Sequence, residues 1–241
     1  MLRKMVQWLD QKERSYRYSF GRDIVDPAER KRSLRHYHWM DHGILRYRWH
    51  NFAVVAPGVY RSNHPHHDRF AAYAEMGVKA VLNLRGKSEQ SHYLFEVESC
   101  KTLGLDLVTV HLGARNVPLQ HRLVALLDAF ESLPRPFMMH CKSGADRTGL
   151  ASAFYLLHFD NASDDVARAQ LSFRHLHIRK TKTGILDYVL ETYLAARRES
   201  GIALRDWVET GYDEKVVAVG YKAKKAKEPF WRGWRAPMAL I

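Results

Sequence analysis

Cysteine is nearly missing: the chain has two, Cys100 and Cys141, in 241 residues. Two thiols build no disulfide framework, and a reactive thiol needs a reducing compartment, so a cytoplasmic protein is expected. No apolar run reaches membrane-spanning length. Residues 1–20 are charged throughout and lack the apolar stretch of a secretory signal, so none is expected. The G-x4-G-K-S/T loop that cradles nucleotide phosphates is absent. Acidic residues are scarce at the two ends. Residues 1–52 hold 12 Lys/Arg against 6 Asp/Glu and residues 215–241 hold 7 against 1, whereas residues 53–214 balance at 19 each.

The whole excess charge of +12 therefore sits in two arms. These also carry Trp8, Trp39, Trp49, Trp231 and Trp234, leaving Trp207 for the middle. Cations interleaved with aromatic rings suit lipid headgroups or stacked bases. The competing reading folds the arms onto the central domain, with rings inward and charges in solvent. Asp26-Pro27-Ala28-Glu29 favours the second, since it has the form of a helix cap and first turn. Lys222 to Lys227 reads as a solvated tail. The expected organisation is a basic N-terminal extension over 1–52, a central domain over 53–200 and a basic C-terminal extension over 201–241.

Hydrophobic periodicity in the centre alternates. Strands are predicted at Val59–Arg61, Lys79–Leu84, Asp106–Val110 and Phe137–His140. Helices are predicted at Asp68–Met76, Gln90–Leu103, Gln120–Leu133, Leu150–Phe159, Ser163–Phe173 and Thr183–Ala196. Such alternation implies an α/β fold, a mainly parallel sheet flanked by helices on both faces, with ligands at the carboxyl ends of the strands.

The most informative segment emerges from one of those ends: His140-Cys141-Lys142-Ser143-Gly144-Ala145-Asp146-Arg147-Thr148-Gly149. It joins an apolar strand to an apolar helix. Amides at a helix start, with the positive end of the helix dipole, cradle an anion and lower a thiol's pKa. Arg147, six residues after Cys141, carries a planar fork that can hold two phosphoryl oxygens, as lysine cannot. Thr148 adds a hydroxyl near the sulfur. Gly144 and Gly149 permit turns and close approaches that a Cβ would hinder.

This arrangement resembles the H-C-x5-R-S/T-G signature of the cysteine-dependent protein tyrosine and dual-specificity phosphatases. The likeness covers roughly residues 53–200, and Pro57-Gly58-Val59-Tyr60-Arg61-Ser62 is similar to the opening strand of bacterial members. The resemblance implies the cysteine-phosphatase fold and hydrolysis of phosphoric monoesters through a phosphocysteine. Cys141 would be the nucleophile, Arg147 the phosphate clamp and Thr148 the partner of the leaving sulfur, with His140 orienting the loop. Lys142, Ser143, Gly144, Ala145 and Arg115 would bind substrate. It implies no cofactor and no metal. The histidines His64, His66 and His67, and His36, His38 and His42, lack the Cys or carboxylate frame of a metal site.

One departure stands out. The family takes its proton donor from an aspartate upstream, where this chain reads Gly113-Ala114-Arg115-Asn116-Val117-Pro118. Asn116 has no proton to give. Asp146, at the position where myotubularin-like lipid phosphatases carry an aspartate, is the preferred candidate. Asp106 is the alternative, although it heads a predicted strand. Tensin-like lipid phosphatases also protect the nucleophile with a second cysteine, a role Cys100 would fill if it is not an inert core thiol. Expected substrates are a phosphorylated protein or, alternatively, a phospholipid or inositol phosphate met at an anionic membrane through the arms. No obligatory nucleic acid is expected. An RNA 5'-phosphatase and a phosphate-binding module without turnover are the remaining alternatives.

Overall fold

The computed structural model describes residues 5, 8, 11, 12 and 19–227. Trp231 and Trp234 lie outside them. The chain divides into two compact units, Met1–Thr109 with Pro134–Lys142, and Val110–Leu133 with Ser143–Ile241.

The first unit holds the sheet, in the order β1 (Ala53–Ala56), β2 (Val59–Ser62), β5 (Phe137–His140), β3 (Ala80–Asn83), β4 (Asp106–Thr109). β1 runs antiparallel to β2, and the other pairings are parallel. The sequence pattern missed β1, because four residues with mixed burial give no usable alternation. Register aligns Ser62 and Asn83 with His140, so the polar residues of three strands meet at one edge. Asp106 aligns with Ala80, and Ala80 with Phe137, at the opposite edge.

Helices α2 (His67–Glu75) and α3 (Ser91–Leu103) cover one face of this sheet. Phe70, Tyr73 and Cys100 from them pack with Val81, Leu105 and Met138. α3 stops at Gly104, whose φ of 67° suits a residue without a Cβ. The basic N-terminal segment is ordered where it is described. Asp26 caps α1 (Pro27–Arg35) by accepting from the amides of Ala28 and Glu29, as its sequence predicts. Arg30 then forks onto Glu98 of α3 at 2.8 and 2.7 Å. Tyr37 is buried behind α1 while Trp39 stays exposed, so the aromatic residues of this segment divide between core and solvent.

The second unit is helical: α4 (Gln120–Ser132), α5 (Asp146–Phe159), α6 (Asp164–Ala169), α7 (Ile185–Ser200) and α8 (Glu214–Lys227). α5 is buried from Thr148 to Leu157, the centre of this unit. Phe130 meets Tyr155 edge-on at 5.3 Å, and Tyr193 links Phe154 to a buried Trp207. α6 is shorter than its periodicity predicts. The chain turns at Gln170, whose carbonyl lies 2.7 Å from where a Cβ on Gly149 would stand. Lys222–Lys227, read as a solvated tail, is largely exposed but helical, the end of α8, with Lys224 5.6 Å over the Tyr188 ring.

Candidate active site

Cys141 follows β5 directly and is 1% exposed. Gly144, at φ 71°, turns the chain, and α5 begins two residues later at Asp146. The Nε of Arg147 and the Oγ1 of Thr148 are both buried with no hydrogen-bond partner among the described residues. Donors in that condition cost free energy unless a ligand or water satisfies them, so these two make the cysteine loop a candidate anion site. Residues 55–161 match the protein family described as "Polymorphic toxin system, DSP-PTPase phosphatase". This segment is similar to the cysteine-dependent protein tyrosine and dual-specificity phosphatases.

One solved structure supports the fold, and others are similar at lower scores. A candidate phosphatase (DUF442) from Shewanella putrefaciens CN-32 superposes with a TM-score of 0.50 at 18% identity, covering 61% of this chain and 95% of its own. The core catalytic domain of the PP-IP phosphatase SIW14 from S. cerevisiae gives 0.48 at 20%, covering 62% and 93%. TpbA from P. aeruginosa gives 0.41 at 18%, covering 59% and 91%. No curated protein matches the chain.

In the matched segment, buried groups hold His140 and Cys141 from behind. His140 Nε2 lies 2.7 Å from Glu96 Oε1, and Asn83 donates to the other carboxylate oxygen at 2.7 Å. The His140 ring also meets the His64 ring edge-on at 4.7 Å. His64, Glu96 and His140 place potential metal ligands within 4.8 Å of one another. Glu96 is already committed to His140 and Asn83, and a guanidinium nitrogen of Arg85 sits 3.3 Å from His64 Nδ1. The trio therefore reads as a hydrogen-bonded support for the loop. Arg61, fully buried on β2, has its pKa pushed down to about 10 by burial, against which the charge of Cys141 acts. A thiolate at Cys141 and the cation at Arg61 thus stabilise each other.

Lys142 is held by a residue from far upstream. Asp41, 6% exposed, accepts from Arg46 at 2.7 Å and from Arg85 at 2.6 and 3.0 Å, with Lys142 Nζ at 3.5 Å. Burial works against its charge, but Arg85 and Arg46 outweigh it and keep the carboxyl well below the usual range. Burial lowers the Lys142 pKa, and Asp41 opposes that shift. The Lys142 carbonyl accepts from the His64 amide at 3.3 Å, which fixes the backbone beside the nucleophile. A cavity of about 420 Å³ in this unit is walled by Tyr37, Phe70, Phe95, His64 and Glu96. It backs onto the support of His140, and Cys141 is not among its walls.

On the α5 side, Asp146 accepts from His177 Nδ1 at 2.7 Å, and Asp187 accepts from Nε2 at 2.6 Å. Burial would lower the His177 pKa, but the bonds to Asp146 and Asp187 prevail and raise it to about 9. Arg115 and Asn116 lie exposed in the loop that precedes α4. Asp106 lies where its place at the head of a predicted strand suggests, away from the loop. It heads β4 three residues back from the strand end, roughly 10 Å along a strand from the edge that carries His140. Cys100 is a free thiol in the core, its pKa raised by burial and by Glu96. Sequence reading did not single out Asp41, Arg61, Arg85, Glu96, His177 or Asp187 as site residues. Only the run from Pro57 to Ser62 drew attention to one of them.

Proposed function

We propose that this chain hydrolyses phosphoric monoesters through a phosphocysteine on Cys141, with phosphorylated protein as its substrate class. The observation that carries the reading is the pair of unsatisfied donors, Arg147 Nε and Thr148 Oγ1, on the loop that begins at a buried cysteine backed by Arg61. The Cys141 thiolate attacks phosphorus in line, and the P–O bond breaks with its electron pair moving to the leaving oxygen. Arg147 and the amides of Ser143, Gly144 and Ala145 hold the equatorial oxygens. Water then attacks phosphorus. The S–P bond breaks, Thr148 donates to the departing sulfur, and inorganic phosphate leaves.

The leaving oxygen also needs a proton, and the Asp146 carboxylate is placed as an acceptor from His177. That geometry favours Asp146 as a fixed anion over a proton donor, and substrates with good leaving groups, such as aryl phosphates, follow from it. Lys142 and the exposed Arg115 are proposed to meet the flanking substrate. The cluster of Lys142, Arg85 and Arg46 around a single Asp41 favours a second reading, a lipid or inositol phosphate carrying more than one phosphate. A phosphate-release screen over phosphotyrosine peptides, phosphoserine peptides and phosphoinositides separates the two. Turnover confined to phosphoinositides would overturn the first.

A further inference from the structure

The segment between α6 and α7 carries a side chain that a phosphate-binding loop would not call for on composition alone. The His177 side chain is wholly buried, with a carboxylate on each ring nitrogen, Asp146 at 2.7 Å and Asp187 at 2.6 Å. A neutral imidazole has one N–H, whereas two carboxylate acceptors call for two. The ring between them is an imidazolium. Asp187 is held in turn by Arg179 at 3.7 Å, and Arg179 also reaches Glu191 at the same distance. The chain is threaded tightly here. Leu176, next to His177, takes the left-handed conformation at φ 58°, and a Cβ on Gly184 would lie 2.0 Å from the Arg179 carbonyl.

Asp146 is the first residue of α5 and the immediate neighbour of Arg147, whose Nε is buried without a partner. A bare carboxylate there would repel a phosphate dianion and draw the Arg147 fork toward itself. We infer that His177, anchored by Asp187, is a positioning residue that neutralises Asp146 and keeps Arg147 available to the phosphoryl group. This rests on the phosphatase reading above and adds the groups that make its loop fit to receive an anion. No bond is made or broken at His177, because both ring protons stay on their nitrogens, one facing each carboxylate.

The test is a double-mutant cycle in the full chain, read first as binding. Affinity for inorganic phosphate is measured by calorimetry in a Cys141→Ser background, where turnover plays no part. His177→Asn should weaken phosphate binding at least about tenfold, and Asp146→Asn added to it should recover most of the loss, since the charge that needed offsetting is gone. Asp187→Asn, which keeps the histidine, should weaken binding in the same direction by a smaller factor. In the Cys141-containing chain, His177→Asn should raise KM for an aryl phosphate more than it lowers kcat. Unchanged phosphate affinity in both His177→Asn and Asp187→Asn, or a double variant no better than His177→Asn, overturns the inference. If His177→Asn fails to fold, Asp187→Asn alone and paired with Asp146→Asn decides by the same criterion. Normal phosphate binding by the Cys141→Ser chain together with no turnover by the Cys141-containing one would sink the catalytic reading and leave this inference standing.

Discussion

At the scale of single residues, the candidate site is framed by matched buried groups. Asp41 faces Arg46, Arg85 and Lys142, and Glu96 faces His140 and Asn83. Removing one member strands the others, which costs more than the intact pair contributes. Asp41→Asn should therefore destabilise the fold by about 3 kcal/mol or more and free Lys142, a change read by chemical denaturation alongside aryl phosphatase kinetics. An unaltered midpoint would contradict the account. His177 supplies the pH prediction. Its pKa is raised to about 9, above the unfolded value, so its stabilisation is complete below about pH 6.5 and lost as pH climbs through 9. Asp146 and Asp187 favour the proton, and Arg179 beside Asp187 modulates it. Between pH 7 and 10 the melting temperature should fall more steeply in the natural chain than in His177→Asn. Parallel curves would show that the imidazolium carries no stability.

At the scale of elements, the loop between β5 and α5 was legible because its chemistry is contiguous. Cys141, Arg147 and Thr148 sit within eight residues, and strand and helix periodicity on either side places them at a strand-to-helix turn. Its supports were not legible. Glu96 lies 44 residues from His140, and His177 lies 31 from Asp146, so only strand register and helix packing bring them together. Local pattern also misjudged α6, whose end is set by Gly149 under Gln170, and β1, which is too short to show a period. The segment before α7 offers an element-scale prediction. Gly184→Ala puts a methyl against the Arg179 backbone, which must move, carrying His177 and Asp187 out of register. Overpacking of that kind costs about 1 to 3 kcal/mol, and the variant should lose thermal stability and phosphate affinity together. Retention of both would mean the loop yields without disturbing the site.

At the scale of the whole chain, the excess positive charge lies in the two ends of the sequence and the candidate chemistry in the middle. No helix of the described residues is long and apolar enough to cross a membrane. The net charge of +12 gives an expectation of binding to vesicles containing anionic lipid, falling steeply as salt rises. Cosedimentation at low and physiological ionic strength checks it, and equal binding to neutral vesicles would remove electrostatics from the account. The N-terminal segment does more than add charge, since α1 is pinned to α3 and Asp41 reaches Lys142. Covalent catalysis at Cys141 is the central proposal. It is tested most directly by mixing the full chain with an aryl phosphate, quenching in acid and locating the phosphoryl group by mass spectrometry. A phosphocysteine at Cys141 is expected to form and decay with turnover, absent together with turnover in Cys141→Ser and slowed more than about tenfold in Arg147→Lys. Phosphate release that continues in Cys141→Ser would contradict it.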